Sequence, residues 1–144
     1  MSDSTSPISC CGPPERCVFS KALLARAAEC ERSARQAEGE QLHVVCTSPT
    51  AHTNCELLAA LLHERARFAL HLPAAGHPLL HAQALRLQCG GLAALQGLLG
   101  EKQHDVHRGV ALAQQRYGSL TELPWAELVS ALAAWRAPRR APAR

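Results

Sequence analysis

The stretch VFSKALLARAAECERSARQAEG, residues 18–39, decides the fold class that the sequence predicts. Its apolar residues recur at the spacing of one helix face, and Gly39 is of the type that commonly follows a helix end. A helix over about 18–38 is therefore expected. The positions that set this spacing are Leu23, Ala27, Cys30 and Ala34.

Four further helices are predicted downstream, joined by short connections. Thr53 and Glu56 have the spacing of a capping box that opens the second helix, and Pro78 suits the first position of the third. Pro49 is expected to keep the loop before the second helix from being helical, and LHVVC, residues 42–46, is a short β-type run. The four predicted helices cover about 53–70, 78–100, 105–117 and 124–138.

These elements predict an all-α fold, a single-domain bundle of about five helices with cysteine-bearing loops before helices 1 and 2. The expected organisation is an irregular N-terminal segment over 1–16, a helical domain over 17–137 and a basic disordered tail over 138–144. Aromatic residues make up only 3% of the chain, which favours helices that meet through small side chains.

Composition also disfavours several classes of function, among them secreted, membrane-spanning and nucleic-acid-binding proteins. The start MSDSTSPISCC does not have the pattern of a signal peptide, and no apolar run reaches the roughly 18 residues of a membrane span. We therefore expect a cytoplasmic protein without a membrane partner, whose seven cysteines stay reduced. The net charge of +3 comes from the C-terminal WRAPRRAPAR, so the body of the fold lacks the basic face typical of nucleic-acid binding.

The cysteines are the candidate site residues. Cys11 and Cys17 flank a proline-bent loop, and Cys46 and Cys55 flank the polar loop before the second helix. If helices 1 and 2 are neighbours, four thiols from two loops converge. Cys89 is the main alternate, because two glycines follow it and leave space for a bulky group or for a tight helix crossing.

Two other cysteines have simpler interpretations. Cys10 is a substitute for Cys11, since adjacent side chains point apart, and Cys30 is interpreted as a core residue of the first helix. Cys17 and Cys55 are both expected at helix N-termini, where the positive end of the helix dipole would lower the pKa of a thiol.

The spacing of the cysteines favours an iron–sulfur cluster, with 4Fe-4S preferred, over zinc. Structural zinc sites typically use two cysteines separated by two to four residues, a spacing that these pairs lack, whereas a four-iron cluster spreads its ligands over a larger cage. Zinc remains the alternative cofactor, in a structural module for protein or nucleic-acid interaction. A plain helical interaction protein with buried thiols is a third possibility.

The sequence offers no established catalytic motif, such as a P-loop or GxSxG, so a non-enzymatic role is favoured. His52, inside the polar loop, is expected to ligate a metal, to donate a hydrogen bond to a cluster sulfur, or to be solvated. His104 and His107 are interpreted as surface residues. The predicted function is electron transfer or redox sensing with a larger protein partner.

Overall fold

The computed structural model describes residues 15–100 and 105–136. Within these ranges the protein contains a three-stranded antiparallel sheet as well as five α-helices, so the prediction of an all-α fold is wrong. Most of the segments predicted as irregular, 1–16, and as a basic tail, 138–144, lie outside the described residues; Glu15 and Arg16 form a strand.

The elements in chain order are β1 (Glu15–Arg16), α1 (Ser20–Leu24), β2 (Ser33–Glu38), β3 (Gln41–Cys46), α2 (Pro49–Ala66), α3 (His81–Leu99), α4 (Val106–Tyr117), a 3-10 helix (Leu120–Glu122) and α5 (Trp125–Ala134).

The predicted helix over 18–38 is replaced by a short helix and a strand. α1 ends at Leu24, and Arg26 adopts a left-handed φ of 62°, which breaks the helix. β2 then pairs with β3 from Ser33 opposite Cys46 to Glu38 opposite Gln41. Gly39, with φ of 65°, is the first of the two turn residues of this hairpin, a position that favours glycine. The glycine interpreted as a helix end is therefore the turn of a hairpin.

The central strand, β3, explains why residues 33–38 form a strand and not a helix. The sheet order is β1-β3-β2, and the strand predicted from LHVVC is confirmed as β3. Val44 and Val45 are buried, and β-branched side chains pack well on a pleated surface. β2 is an edge strand, and pairing with β3 along residues 33–38 satisfies the backbone groups on its inner side, which outweighs the weak helical preference of its own side chains.

The second helix begins earlier than its capping-box pattern predicts. Ser48 is the N-cap, its hydroxyl accepts a hydrogen bond from the Ala51 N–H at 3.2 Å, and Pro49 occupies the first helical position. Proline suits this position because an N–H there would have no helical partner. Thr53 is inside the helix and donates its hydroxyl hydrogen to the Pro49 carbonyl. Cys55 consequently lies in the second helical turn rather than the first.

The three C-terminal helices are present where they were predicted, but two of their ends differ: α3 begins at His81, so Pro78 is not its first residue, and α5 ends at Ala134 rather than near 138. α3 ends at Gly100, which has a left-handed φ of 72°, and Asp105 caps α4, which ends before Gly118. The two glycines inside α3 allow close helix contacts. A Cβ on Gly91 would lie 2.7 Å from Leu62 of α2, and one on Gly90 would lie 3.3 Å from Trp135. The tight crossing proposed for this glycine pair is therefore present.

One hydrophobic core joins the sheet to the helices. Phe19, at the N-terminus of α1, is completely buried together with leucines from α2 and α5. α1 is fixed to α3 by a hydrogen bond from the Ala22 N–H to the Gln88 side-chain oxygen. This arrangement places the end of β3, the start of α2 and the segment between α1 and β2 around one point.

Candidate functional site

Four cysteines line one small enclosed pocket at that point. They come from four different segments: the residue after β1, the turn between α1 and β2, the last residue of β3, and the second turn of α2. The pocket volume is about 10 Å³, which is about the space that one water molecule needs. The pocket is lined by Cys17, Val18, Cys30, Ser33, Cys46, Ala51, His52, Cys55 and Val106.

Backbone hydrogen bonds fix three of these cysteines. The Cys17 N–H donates to the Val44 carbonyl at 2.9 Å, which continues the pairing of β1 with β3. The Cys46 thiol donates to the Ser48 carbonyl at 3.3 Å, so this sulfur lies at the junction of β3 and α2. The Cys30 carbonyl accepts from both the N–H and the hydroxyl of Ser33, at 3.1 and 2.8 Å. These hydrogen bonds hold the backbone of Cys17 and Cys30 and the thiol of Cys46.

The predicted ligands fall into three groups. Cys17, Cys46 and Cys55 are brought together at this pocket. Cys11, like its substitute Cys10, lies outside the described residues. Cys89 lines a different, largely apolar cavity of about 320 Å³ beside Trp135 and Ala28.

Cys30 is the residue that the sequence interpretation missed. It was assigned to the core of a helix, but it lies in the turn before β2 and contributes to the thiol-lined pocket. The signal that could have found it is the hairpin turn at Gly39. A hairpin centred there puts Ser33 opposite Cys46, which places Cys30 just beyond the paired strands and near that sulfur.

The spacing of the sulfurs distinguishes one kind of metal site from another. With zinc–sulfur bonds of about 2.3 Å, four tetrahedral ligands lie about 3.8 Å from one another. In the described part of the chain, no three cysteine sulfurs lie within 4.8 Å of one another. The thiols surround a common space without the geometry of a preformed single-ion site.

Burial determines the protonation of these thiols. It raises the pKa of Cys17 from 9.0 to about 11, and the neighbouring Cys30 and Cys46 add to the increase. It raises the pKa of Cys55 to about 12, with further increases from Cys30, Cys17 and Cys46, and it also raises the pKa of Cys30. The prediction that helix N-termini lower the thiol pKa is therefore wrong for Cys17 and Cys55. α1 has only five residues, and Cys55 is one turn too far along α2.

His52 supports the pocket from one side. It is buried, with 6% of its surface exposed, so it is not solvated. Its Nε2 lies 3.0 Å from the Arg16 carbonyl, and its Nδ1 lies 3.2 Å from a Glu15 carboxylate oxygen and 3.5 Å from one of Glu56. Both ring nitrogens thus face oxygen atoms. The contacts tie α2 to β1, directly before Cys17, and neither nitrogen is directed to a metal in this arrangement.

A second group of polar side chains, Glu31, Asp105 and His107, supports the turn that carries Cys30. Their donor atoms lie within 4.8 Å of one another. Each has a structural partner: Asp105 accepts from the backbone N–H of Glu31 at 2.8 Å and of Arg108 at 3.1 Å, and His107 bonds Glu31 at 2.8 Å. The Val106 N–H also donates to the Glu29 carbonyl at 2.7 Å. This network joins the segment around Cys30 to the start of α4. His104, the other histidine predicted at the surface, lies outside the described residues.

Comparison with known proteins finds no match: no family model fits the chain, and it has no significant match among curated proteins or solved structures. Within residues 15–100 and 105–136, no helix combines the length and apolar character needed to cross a membrane. Functional inference therefore rests on the pocket and its chemistry.

Proposed function

We propose that this protein binds an iron–sulfur cluster, 4Fe-4S in preference to other types, through the cysteines of the small pocket. The observation that carries the proposal is that four thiols from separate elements line the same enclosed space. Their separation exceeds what one tetrahedral ion requires. A four-iron cluster distributes its ligands over a larger cage and so suits single cysteines from separate segments.

The proposed ligands are Cys17, Cys30, Cys46 and Cys55. Three of them were predicted from the sequence pattern. Cys30 is added because it lines the same pocket. Cys11 is the competing fourth ligand. The two choices make different predictions for single alanine variants, because only a true ligand is needed for full iron content.

Loading the cluster changes both the protonation and the shape of the site. The buried thiols hold their protons at neutral pH, so cluster binding must release protons and should become more favourable as pH rises. The pocket has room for about one water molecule. Its walls must therefore separate on loading, and the two-residue β1 and five-residue α1 are the elements with the fewest internal hydrogen bonds to resist this movement.

The cluster would exchange electrons with, or report redox state to, a larger protein partner in the cytoplasm. A bound cluster supplies a one-electron couple, whose potential depends on burial and on hydrogen bonds to its sulfurs. Backbone N–H groups at the pocket that could serve as such donors are that of Phe19, which bonds Cys17, and those of Arg32 and His107, which bond Cys30.

Anaerobic purification followed by reconstitution with iron and sulfide tests the proposal. We expect a brown protein with visible charge-transfer absorbance and about four iron and four sulfide per chain. A colourless preparation that takes up neither iron nor sulfide would overturn it. Rapid alkylation of Cys55 in the native metal-free protein is not expected, because this thiol is buried and burial raises its pKa to about 12.

A structural zinc site is the second candidate, and the small volume of the pocket is the observation that favours it. A single ion needs little space, but the sulfurs would have to move together to reach about 2.3 Å from it. Bound zinc without sulfide, and loss of helicity on chelation, would establish this alternative.

A further inference from the structure

We propose that a second, open pocket binds a small organic anion, a phosphomonoester or a carboxylate that carries an apolar group. This anion pocket lies between α1, β3 and the first residue of α3, and its volume is about 410 Å³. Small-molecule sites typically range from about 300 to 1,000 Å³. It is lined by Arg16, Ser20, Lys21, Leu24, Ala25, Leu42, His43, Val44, His81 and Leu85.

The polar side chains of the anion pocket form two nitrogen–nitrogen pairs. An Arg16 guanidinium nitrogen lies 3.2 Å from Nε2 of His43, and the Lys21 ammonium lies 3.0 Å from Nδ1 of His81. Arginine and protonated lysine have no acceptor atom, so each histidine nitrogen must accept from its cationic partner. Both pairs therefore carry a positive charge that the histidine does not neutralise.

The wall of this pocket, as the structure describes it, contains no aspartate or glutamate. By contrast, Arg108 lies 3.5 Å from a carboxylate oxygen of Glu31, and Arg65 lies 3.9 Å from one of Glu64. Two cations that converge on one cavity without a carboxylate create a local positive potential, which an anion would offset. Arg16 and Lys21 also offer several N–H donors of the kind that bind phosphate and carboxylate oxygens.

The apolar residues of the pocket wall indicate which kind of substituent the anion carries. Leu24 and Leu42 are 43% and 47% exposed. With Leu85 they form the apolar part of the pocket wall. An inorganic ion would leave this wall in water, whereas an apolar substituent on the anion would cover it.

The anion pocket is independent of the proposed cluster. It shares no lining residue with the thiol-lined pocket. Arg16 precedes Cys17, but its side chain faces His43 while its carbonyl bonds His52. Anion binding is therefore expected in the metal-free protein, where its test needs no cluster, so either proposal can fail alone.

Titration of the full chain, followed by amide NMR shifts, tests the inference with four probes: phenyl phosphate, benzoate, inorganic phosphate and neutral phenol. We expect saturable binding of phenyl phosphate or benzoate with a Kd at or below about 1 mM, and at least tenfold weaker binding of phenol and inorganic phosphate. The stronger of the two organic anions identifies the head group. Shifts should centre on α1, β3 and the start of α3.

Lys21→Gln and Arg16→Gln should each weaken this binding at least fivefold while the circular dichroism spectrum stays unchanged. Arg32→Gln is the matched control, since it removes an exposed arginine outside the pocket and should leave affinity unchanged. Equal binding of phenol and phenyl phosphate, equal losses in all three variants, or no saturable binding of either organic anion would overturn the proposal.

Discussion

Cys55 and Cys89 are two buried thiols in one hydrophobic core, and their surroundings differ. Cys55 is 8% exposed and Cys89 is 5% exposed, and burial raises the pKa of both. Three other cysteines share a pocket with Cys55, whereas Cys89 adjoins a glycine pair and lines a cavity beside Trp135. Burial alone does not distinguish the two cysteines, whereas the convergence of thiols from separate elements does.

The difference follows from the architecture of the two regions. Around Cys55, the β2–β3 hairpin brings together residues far apart in sequence, and side chains at its open end meet the start of α2. Around Cys89, α3 packs closely on α2 and on the end of α5, and glycine is needed for contact rather than for a ligand. We propose that the first region holds a bound group, whereas the second holds helices together.

Replacing a pocket cysteine should have the largest effect. Cys55→Ala removes a central thiol of the pocket, and we expect the iron content after reconstitution to fall from about four per chain to below about one. Cys89→Ala is the matched control and should retain the wild-type iron content. Equal iron in both variants, or loss in Cys89→Ala alone, would contradict the contrast between the two regions.

Alkaline pH should destabilise the metal-free protein through the same thiols. Burial raises the folded pKa of Cys17 to about 11 and that of Cys55 to about 12, so the folded state keeps protons that the unfolded chain releases, and stability present below pH 9.0 is lost as pH rises toward those values. Each tenfold difference in proton affinity corresponds to about 1.4 kcal/mol. Urea unfolding under reducing conditions should therefore show a steeper loss for wild type than for Cys55→Ala, and identical slopes would refute this.

Adding a side chain at the close contact between α3 and α2 should destabilise the fold without removing the metal. Gly91→Val forces a side chain against Leu62, and we expect a loss of about 1–3 kcal/mol in the free energy of unfolding. Gly97→Ala is the control on the same helix, where an added Cβ meets nothing within 4 Å and should stabilise by up to about 1 kcal/mol. Chemical denaturation measures both; similar changes in the two variants would be inconsistent with a tight crossing.

The smallest effect is expected at His52. His52→Gln loses part of the link between α2 and β1, and we expect a destabilisation of about 1 kcal/mol with the iron content unchanged. The reason is that both ring nitrogens contact oxygen atoms rather than the pocket centre. A large loss of iron in this variant would show instead that the histidine is a ligand.

The helices that could be predicted from the sequence have strong local end signals. Gly100 and Gly118 end α3 and α4, and Pro124 precedes α5, so each boundary is encoded within a few residues. The first strand of the hairpin has no such signal. Residues 33–38 contain alanine, glutamine and arginine, which favour helices, and they form a strand only because β3 pairs with them.

The candidate site likewise contains residues that local sequence signals identify and one residue that they do not. Cys17, Cys46 and Cys55 could be grouped from their positions next to predicted elements, and they do line one pocket. Cys30 could not be added, because its position depends on a turn that was interpreted as a helix end. The raised pKa values likewise depend on burial among distant segments, which local helix-end reasoning does not include.

The comparison of Cys30→Ala with Cys11→Ala tests the central claim most directly. Both variants are reconstituted anaerobically, and iron and sulfide per chain are measured alongside wild type. If the ligands are the thiols that converge on the pocket, Cys30→Ala should hold about three iron or fewer, and Cys11→Ala should keep about four. Full iron content in Cys30→Ala, together with loss in Cys11→Ala, would contradict the account.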